Sequence, residues 1–101
     1  MSARKRLPNR RAAESFDIEV DGFKCKVTAG YFSDGSLAEI FLSSVKTSSQ
    51  ADVIAHDIGV LVSLCLQHNC PTKTIAHALA RNSDGSASGV IGAVLDKIIS
   101  G

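Results

Sequence analysis

The sequence contains no tryptophan, and its aromatic residues are one tyrosine and four phenylalanines among 101 residues. Aliphatic side chains must therefore form the core, and a hydrophobic content of 45% suffices for one core in a chain of this length. The three cysteines are an odd number, which excludes a complete set of disulfides. Cys25 and Cys65 lie in apolar patterns that are typical of reduced core thiols.

A secretory leader and a long apolar run are both missing. The basic start is followed by Leu7-Pro8-Asn9 and not by an apolar segment, so no signal peptide is expected. Asp52, His56 and Asp57 interrupt the longest helical stretch, which leaves an apolar run shorter than the ~20 residues that a membrane span requires. We expect a cytoplasmic protein with no membrane partner.

Motifs for common catalytic and metal sites are also missing, including the phosphate loop, GxGxxG and HExxH. Cys65, His68 and Cys70 are spaced like metal ligands, but a structural zinc site needs four ligands. His56 lies four residues after Asp52, with no nucleophile nearby in sequence. We therefore predict no catalytic residue, no cofactor and no metal.

Charge is divided unevenly along the chain. The first eleven residues hold five of the eleven cations, and the remainder has six cations and ten acids, a balance of −4. Residues 1–14 lack hydrophobic periodicity, so we interpret them as a flexible basic arm before a single domain at 15–101. The arm is either a solvated linker or a phosphate-binding segment. In the second case the binding residues are Arg4, Lys5, Arg6, Arg10 and Arg11.

Alternation of apolar and polar residues predicts two strands on either side of Asp21-Gly22. This dipeptide favours a two-residue type I′ hairpin, because both central positions need positive φ. The turn fixes five cross-strand pairs: Val20 with Phe23, Ile18 with Cys25, Phe16 with Val27, Glu19 with Lys24 and Asp17 with Lys26. Two of the pairs join an acid to a base, which independently supports the register.

A third strand is predicted at Leu37–Ser43, after turn residues 33–36. Three pairs define its register against the second strand: Phe32 with Leu37, Ala29 with Ile40 and Val27 with Leu42. These pairs extend the apolar face of the hairpin.

The opposite face of this predicted sheet carries Phe32, Leu37 and Phe41. Such a face is more apolar than a solvated surface should be. We therefore predict that these three residues form a partner-binding surface, in a homodimer or against a larger protein. The alternative is that the N-terminal arm folds back over them.

The stretch from Ser49 to Asn69 predicts a long helix. Ser49 and Asp52 form a capping pair, and Asn69 followed by Cys70-Pro71 ends the helix. Its polar residues draw one narrow stripe, which consists of Asp52, His56, Gly59, Ser63 and Gln67. Because nearly every other position is apolar, we expect the helix to be buried on most sides.

Two shorter helices are predicted after it, from Pro71 to Arg81 and from Ser88 to Ile99, with a loop at 82–86. The last helix has an apolar stripe that consists of Val90, Ile91, Val94, Leu95 and Ile98. Three strands followed by three helices predict an α+β fold, a three-stranded antiparallel meander with the helices packed on one face.

The start of the long helix offers a candidate anion site. Lys46, Ser48 and Ser49 bring an ammonium group and two hydroxyls to a helix end whose free N–H groups favour anions. The alternative is that the hydroxyls only cap the helix.

Three segments carry a combined pattern: RLPNRR at 6–11, VTAGYFSDGSLAEIFLSSVKTSS at 27–49 and LVSLCLQHNCPTKTI at 61–75. In this order they resemble the TSCPD domain, which follows the catalytic barrel in cobalamin-dependent (class II) ribonucleotide reductases. The matching positions are Arg6-Leu7-Pro8, Gly30-Tyr31, Asp34-Gly35, Glu39-Ile40-Phe41, Lys46, Ser49, Ser63-Leu64, Leu66-Gln67-His68 and Pro71.

The cysteine-bearing motif that names the domain is absent, and Ser86-Ala87-Ser88-Gly89 stands near its expected place. The radical-bearing cysteine and the redox cysteine pair of the family's enzymes lie on a much larger barrel and have no counterpart here. The resemblance therefore implies an accessory or regulatory domain related to ribonucleotide reductase and deoxyribonucleotide supply, without catalysis by this chain alone. Its family label would be ribonucleoside-diphosphate reductase.

Two modes of action follow from these observations. The first is binding of a protein or nucleotide, with a homodimer or a larger reductase-like protein as the expected protein partner. The alternative is a small nucleic-acid-associated protein that binds through the basic arm. Salt distinguishes the two, because phosphate binding weakens steeply as salt is added.

Overall fold

The computed structural model describes residues 12–44 and 50–100. Within these ranges three strands precede three helices, so the predicted α+β class is confirmed. The strands are β1 (Ala13–Val20), β2 (Phe23–Tyr31) and β3 (Leu37–Ser44), and the helices are α1 (Gln50–Gln67), α2 (Thr72–Ala78) and α3 (Val90–Ser100). The sheet is antiparallel, in the order β1-β2-β3.

The hairpin between β1 and β2 has the predicted turn and register. Asp21 and Gly22 adopt φ values of 51° and 82°, as a type I′ turn requires. All five predicted cross-strand pairs are present, including the two acid–base pairs. The turn chemistry alone therefore positions every side chain of β1 relative to β2.

The pairing of β3 with β2 follows the prediction only in part. The pairs Ala29–Ile40 and Val27–Leu42 are confirmed. The predicted pair of Phe32 with Leu37 is wrong, because Leu37 pairs with Tyr31 and the register shifts at that point. Gly30 pairs with Glu39, so Ala38 is one extra residue on β3, as in a β-bulge.

Helix α1 lies along the outer edge of β3, and its polar stripe faces the strand. Three hydrogen bonds join the two elements: Ser44 N to Asp52 Oδ1 (2.8 Å), Ile40 N to Ser63 Oγ (2.8 Å) and Gln67 Nε2 to Ala38 O (3.1 Å). An edge strand has outward N–H and C=O groups that must find partners when they are buried. Side chains of α1 take the place of a fourth strand.

The backbone of α1 approaches β3 most closely at Gly59. A Cβ built there would lie 3.0 Å from the carbonyl oxygen of Ile40 and 3.4 Å from the amide nitrogen of Leu42. The expectation that α1 is buried on most sides is wrong. The sheet buries the stripe that contains Gly59, Ser63 and Gln67, and the opposite apolar face is exposed.

The end of α1 is the predicted one. Asn69 has a φ of 68°, in the left-handed region that an asparagine tolerates. Cys70 N donates to Cys65 O (2.9 Å) and Asn69 N donates to Leu66 O (3.1 Å), which is the Schellman pattern. Ser49, the predicted N-cap, lies outside the described residues.

Helix α2 is shorter than predicted and ends at Ala78. Leu79 is already extended, with φ −82° and ψ 158°, and Arg81 then forms a bridge with Ala87. Between them the turn at 83–86 has the same Ser-Asp-Gly-Ser sequence as the turn at 33–36. In both turns the aspartate accepts a hydrogen bond from the amide of the second serine at 2.9 Å.

The core lies between the apolar face of the sheet, the inner side of α1, and α3. Ile91, Val94 and Leu95 of α3 are buried, and Val90 and Ile98 are partly buried, so the predicted stripe is confirmed. None of the helices in the described ranges is long and apolar enough to cross a membrane.

Candidate functional site

Most of the exposed large hydrophobic side chains in the described part of the chain lie on the outer face of α1, which we define as Val53, Ile54, Val60, Leu61 and Leu64. These side chains are 51%, 48%, 39%, 61% and 36% exposed, in that order. They are five of the seven large hydrophobic residues that are exposed in the described ranges. Contiguous apolar patches of this kind mark sites of interaction.

The outer face is arranged as a helical seam. Its members fall at positions 53 and 54, then 60 and 61, with Leu64 after them, which is a seven-residue repeat. Asp57 occupies the position between the two pairs and is exposed. A seam with this period is the kind that a second helix packs against.

An apolar groove of about 290 Å³ opens beside the first turns of α1. Its lining residues within the described ranges are all apolar, and they are Phe23, Leu42, Ala51, Ile54, Ala55, Ile58, Gly89, Val90 and Ile91. The groove therefore lies between the surface of β2 and β3 and the N-termini of α1 and α3. Ile54 belongs both to this groove and to the outer face of α1, so the two surfaces are continuous.

The predicted partner surface of Phe32, Leu37 and Phe41 is not assembled as one exposed patch. Phe41 is 49% exposed, whereas Phe32 and Leu37 are each 6% exposed. The bulge at Ala38 explains the difference, because it turns Leu37 into the hydrophobic core. A role for Phe41 in partner binding stays a prediction.

Two other predicted sites fall outside the described residues. The candidate anion site consists of Lys46, Ser48 and Ser49, within the range 45–49. The candidate phosphate-binding arm consists of Arg4, Lys5, Arg6, Arg10 and Arg11, within the range 1–11. Both stay predictions.

A polar cluster lies at one end of the β1–β2 pair. The Tyr31 hydroxyl donates a hydrogen bond to Glu14, and the Lys97 ammonium lies 4.4 Å from the ring centroid of Phe16. Partial burial and then the Glu14 hydrogen bond raise the pKa of Tyr31 to about 12. Tyr31 is thus protonated at neutral pH and acts in this cluster as a hydrogen-bond donor to Glu14.

The three cysteines differ in burial. Burial, and then the charge of Asp52, raise the pKa of the Cys25 thiol, which makes it a weaker nucleophile. Cys65 is exposed and Cys70 is partly exposed, and all three thiols are free. Across the described ranges, no three metal-ligating side chains converge.

Arg81 and Asp96 form an ion pair that ties the turn region to α3. Arg81 Nη2 lies 2.8 Å from Asp96 Oδ1 and 2.8 Å from the carbonyl oxygen of Ala76. The hydrogen bond from Arg81 lowers the pKa of Asp96 and raises that of the arginine. Arg81 thus links the end of α2, the turn at 83–86 and α3.

A protein-family comparison decides the lineage. The TSCPD domain model matches residues 3–100, nearly the whole chain. The chain belongs to the TSCPD domain family. The vitamin B12-dependent ribonucleotide reductase of Agrobacterium fabrum is 31% identical over 75 residues, which are 74% of this chain and 6% of that enzyme.

A second TSCPD-containing relative gives the same picture. The vitamin B12-dependent ribonucleotide reductase of Bradyrhizobium diazoefficiens is 31% identical over 71 residues, 70% of this chain and 6% of that enzyme. The TSCPD-domain chain thus spans about 6% of the length of the curated relatives that it matches. No solved structure matches it significantly.

Sequence reasoning missed the outer face of α1 and the groove beside it. A usable signal was present, because Gly59 and Ser63 are small residues within the polar stripe. Small residues permit the close approach of a helix to a neighbouring backbone, so they indicate the buried side even where they are polar. The apolar remainder of the helix then has to face outward.

Proposed function

We propose that this TSCPD-domain protein is a non-catalytic accessory domain that binds a protein of the vitamin B12-dependent ribonucleotide reductase type. The observation that carries the proposal is the apolar groove between Phe23, Ala51 and Val90. In the relatives the matching region is a small part of a much longer chain, so it has the rest of a reductase beside it. Unpaired thiols suit a reducing compartment, and we place the protein in the cytoplasm.

The groove fits one or two apolar side chains of a partner segment. Its volume of about 290 Å³ is near the lower end of ligand pockets, which begin at roughly 300 Å³. The described residues of its lining include none of the convergent polar groups by which small-molecule sites orient their ligands. A hydrophobic anchor on an amphipathic partner helix is the ligand that such a groove favours.

Three titratable groups with shifted pKa values are poorly suited to catalysis. The Cys25 thiol is buried with a raised pKa, and Tyr31 is a protonated hydrogen-bond donor. Asp96 is held by Arg81. A catalytic nucleophile or base needs a suitable pKa and access to a substrate, and these groups lack one or both.

Binding to a purified vitamin B12-dependent ribonucleotide reductase from the same organism tests the proposal. Ala51→Glu introduces a carboxylate into the groove, at a helix N-terminal position that tolerates an acid. We expect it to weaken binding at least about tenfold, because the partner's anchor would meet a charge. Gln50→Glu is the matched control, since it adds the same charge one residue earlier and outside the groove, and binding should persist.

The dependence on salt separates this function from its nucleic-acid alternative. Apolar docking should persist as salt is added, whereas binding through phosphates should fall steeply. Absence of binding to the reductase, or equal binding by the wild type and Ala51→Glu, would contradict the proposal.

A further inference from the structure

We propose that Cys65 and Cys70 are a reversible redox site, at which an intramolecular disulfide forms by exchange with a small-molecule disulfide. Both thiols are free in the structure, and neither cysteine lines the apolar groove. The site is therefore separate from the surface that we assign to partner binding.

The turn that ends α1 brings the two cysteines together. In a continuous helix, residues five apart are separated by about 7.5 Å along the axis, which is too far for a disulfide. Here the chain turns back at Asn69, whose φ is 68°, and Cys70 N donates to Cys65 O at 2.9 Å. The two cysteines thus become neighbours only because the helix ends between them.

This hydrogen bond sets an upper limit on the separation of the two Cα atoms. A carbonyl oxygen lies about 2.4 Å from the Cα of its own residue, and an amide nitrogen lies about 1.5 Å from its Cα. With 2.9 Å between oxygen and nitrogen, the Cα atoms of Cys65 and Cys70 are at most about 6.8 Å apart. Disulfides join Cα atoms that are about 4.4–6.8 Å apart, so the backbone as it stands can accept the bridge.

The two side chains occupy the positions that meet in this kind of turn. In a Schellman motif, the residue that donates the outer hydrogen bond and the residue that accepts it commonly have their side chains in contact. These residues are Cys70 and Cys65. The Cys70 thiol also has a contact of 4.0 Å with the carbonyl oxygen of Pro71. A thiol is a weak donor, so this contact does not prevent rotation of the side chain toward Cys65.

Access to solvent distinguishes this pair from the third thiol. Cys65 is exposed and Cys70 is partly exposed, whereas Cys25 is 0% exposed. A dissolved disulfide can therefore reach the pair in the folded protein but cannot reach Cys25. In a reducing compartment such a bridge is transient, which is how redox-sensing disulfides behave.

The exchange takes place in two steps. The Cys65 thiolate attacks one sulfur of the small-molecule disulfide, whose S–S bond breaks, and one small thiolate leaves with the electron pair. The Cys70 thiolate then attacks Cys65 Sγ in this mixed disulfide, and the second small thiolate leaves. Overall, two protein thiols are oxidised to one disulfide, the reagent is reduced to two thiols, and the two protons pass to the departing thiolates through water.

The bridge would fix the connection between two helices. Cys65 lies in the last turn of α1, and Pro71, which follows Cys70, is the N-cap residue of α2. The disulfide therefore holds the end of α1 to the start of α2, and reduction releases it.

Mass spectrometry of the folded full chain after treatment with oxidised glutathione tests the proposal. Wild type should lose two hydrogens and retain no glutathione, and peptide mapping should place the bridge between Cys65 and Cys70. Cys70→Ser should stop at the mixed disulfide and keep one glutathione on Cys65. Cys25→Ser is the matched control, because it removes a thiol outside the pair, and it should form the same bridge as wild type.

The rate of ring closure tests whether the turn brings the thiols together. With an aromatic disulfide that releases a coloured thiol, Cys25→Ser should release a second equivalent at a rate that does not depend on reagent concentration. In the same background, Asn69→Gly keeps a residue that tolerates positive φ and should close like its parent. Asn69→Val places a β-branched residue there and should slow closure at least about tenfold.

Four outcomes would overturn the proposal. They are glutathione that stays on Cys65 in wild type, a covalent dimer as the main product, a bridge to Cys25 in the folded protein, and equal closure rates in Asn69→Gly and Asn69→Val.

Discussion

The Ser63 hydroxyl oxygen lies 2.8 Å from the amide nitrogen and 3.1 Å from the carbonyl oxygen of the same residue, Ile40. One side chain of α1 thus meets both outward groups of one residue on the edge strand β3. The hydroxyl oxygen also lies 2.8 Å from the carbonyl oxygen of Gly59, one turn earlier in the helix. Ser63 and Ile40 are both buried, so water cannot replace these contacts.

Ser63→Ala should destabilise the protein by about 1–3 kcal/mol, the cost of leaving the buried amide of Ile40 without a partner. Alanine is the better helix former, and this gain offsets only part of the loss. The measurement is the free energy of unfolding from urea titration. Ser15→Ala is the control, because its hydroxyl makes one exposed contact of 3.3 Å with Thr28. Equal losses in the two variants would show that Ser63 does not stabilise the edge of β3.

Gly59→Ala tests the close approach of α1 to β3. Helix propensity alone favours alanine over glycine by about 1 kcal/mol. The new Cβ, however, would lie 3.0 Å from the carbonyl oxygen of Ile40, and this backbone atom cannot move without a shift of β3. We expect a net loss of about 1–3 kcal/mol in the free energy of unfolding.

The control for this substitution is Gly89→Ala, since a Cβ at Gly89 would meet no atom within 4 Å. Gly89 precedes the first residue of α3, where alanine is a poorer N-cap than glycine, so that variant should lower the free energy of unfolding by no more than about 1 kcal/mol. A stabilising Gly59→Ala would mean that the two elements are farther apart than described.

The hairpin could be predicted from the sequence because its determinants are local. Asp21-Gly22 selects the turn, the turn selects the register, and the acid–base pairs agree with both. None of these inferences needs knowledge of a distant segment.

The bulge on β3 could not be predicted from alternation. A Cβ at Gly30 would lie 2.6 Å from the Glu39 carboxylate, so the glycine leaves the space in which this side chain lies. A glycine inside a strand is a signal for a bulge, but it does not say which strand gains the extra residue. Tertiary contacts decide that Leu37 turns inward, so that of the three residues predicted to bind a partner, Phe32, Leu37 and Phe41, only Phe41 is exposed.

The burial of α1 on most sides was predicted incorrectly for a related reason. Periodicity identifies the stripe of Asp52, Gly59 and Ser63, but a polar stripe faces water only when no buried backbone needs its hydrogen bonds. Here the edge of β3 needs them. The groove depends on residues from β2, β3, α1 and α3, so the sequence alone could not bring them together.

Asp96→Asn should lower stability at neutral pH and have no effect in acid. The Arg81 hydrogen bond lowers the pKa of Asp96 in the folded state. The stabilisation from this hydrogen bond is therefore fully present above the pKa of the unfolded state, about 3.9. It is lost as the pH falls through the lower pKa of the folded state. The difference in urea midpoint between wild type and variant should therefore vanish in acid. A difference that stays constant with pH would assign the effect to packing and not to the ion pair.

Thiol labelling should distinguish the buried cysteine from the exposed one. Cys25 is 0% exposed, and burial together with the negative charge of Asp52 raises the pKa of its thiol. The thiolate is the reactive form, so Cys25 is protected both by burial and by protonation. Cys65 is exposed on α1, so burial does not protect it. With a disulfide reagent at mildly alkaline pH, Cys65 should react first and Cys25 only as fast as the protein opens.

Two variants assign these phases. Cys65→Ser should remove the fast phase, and Cys25→Ser should leave it unchanged. Urea should bring all thiols to one rate, because it removes the burial that protects Cys25. Rapid labelling of Cys25 in the native protein would contradict the structure of the core, since the thiol lies between β2 and the helices and reaches solvent only when they separate.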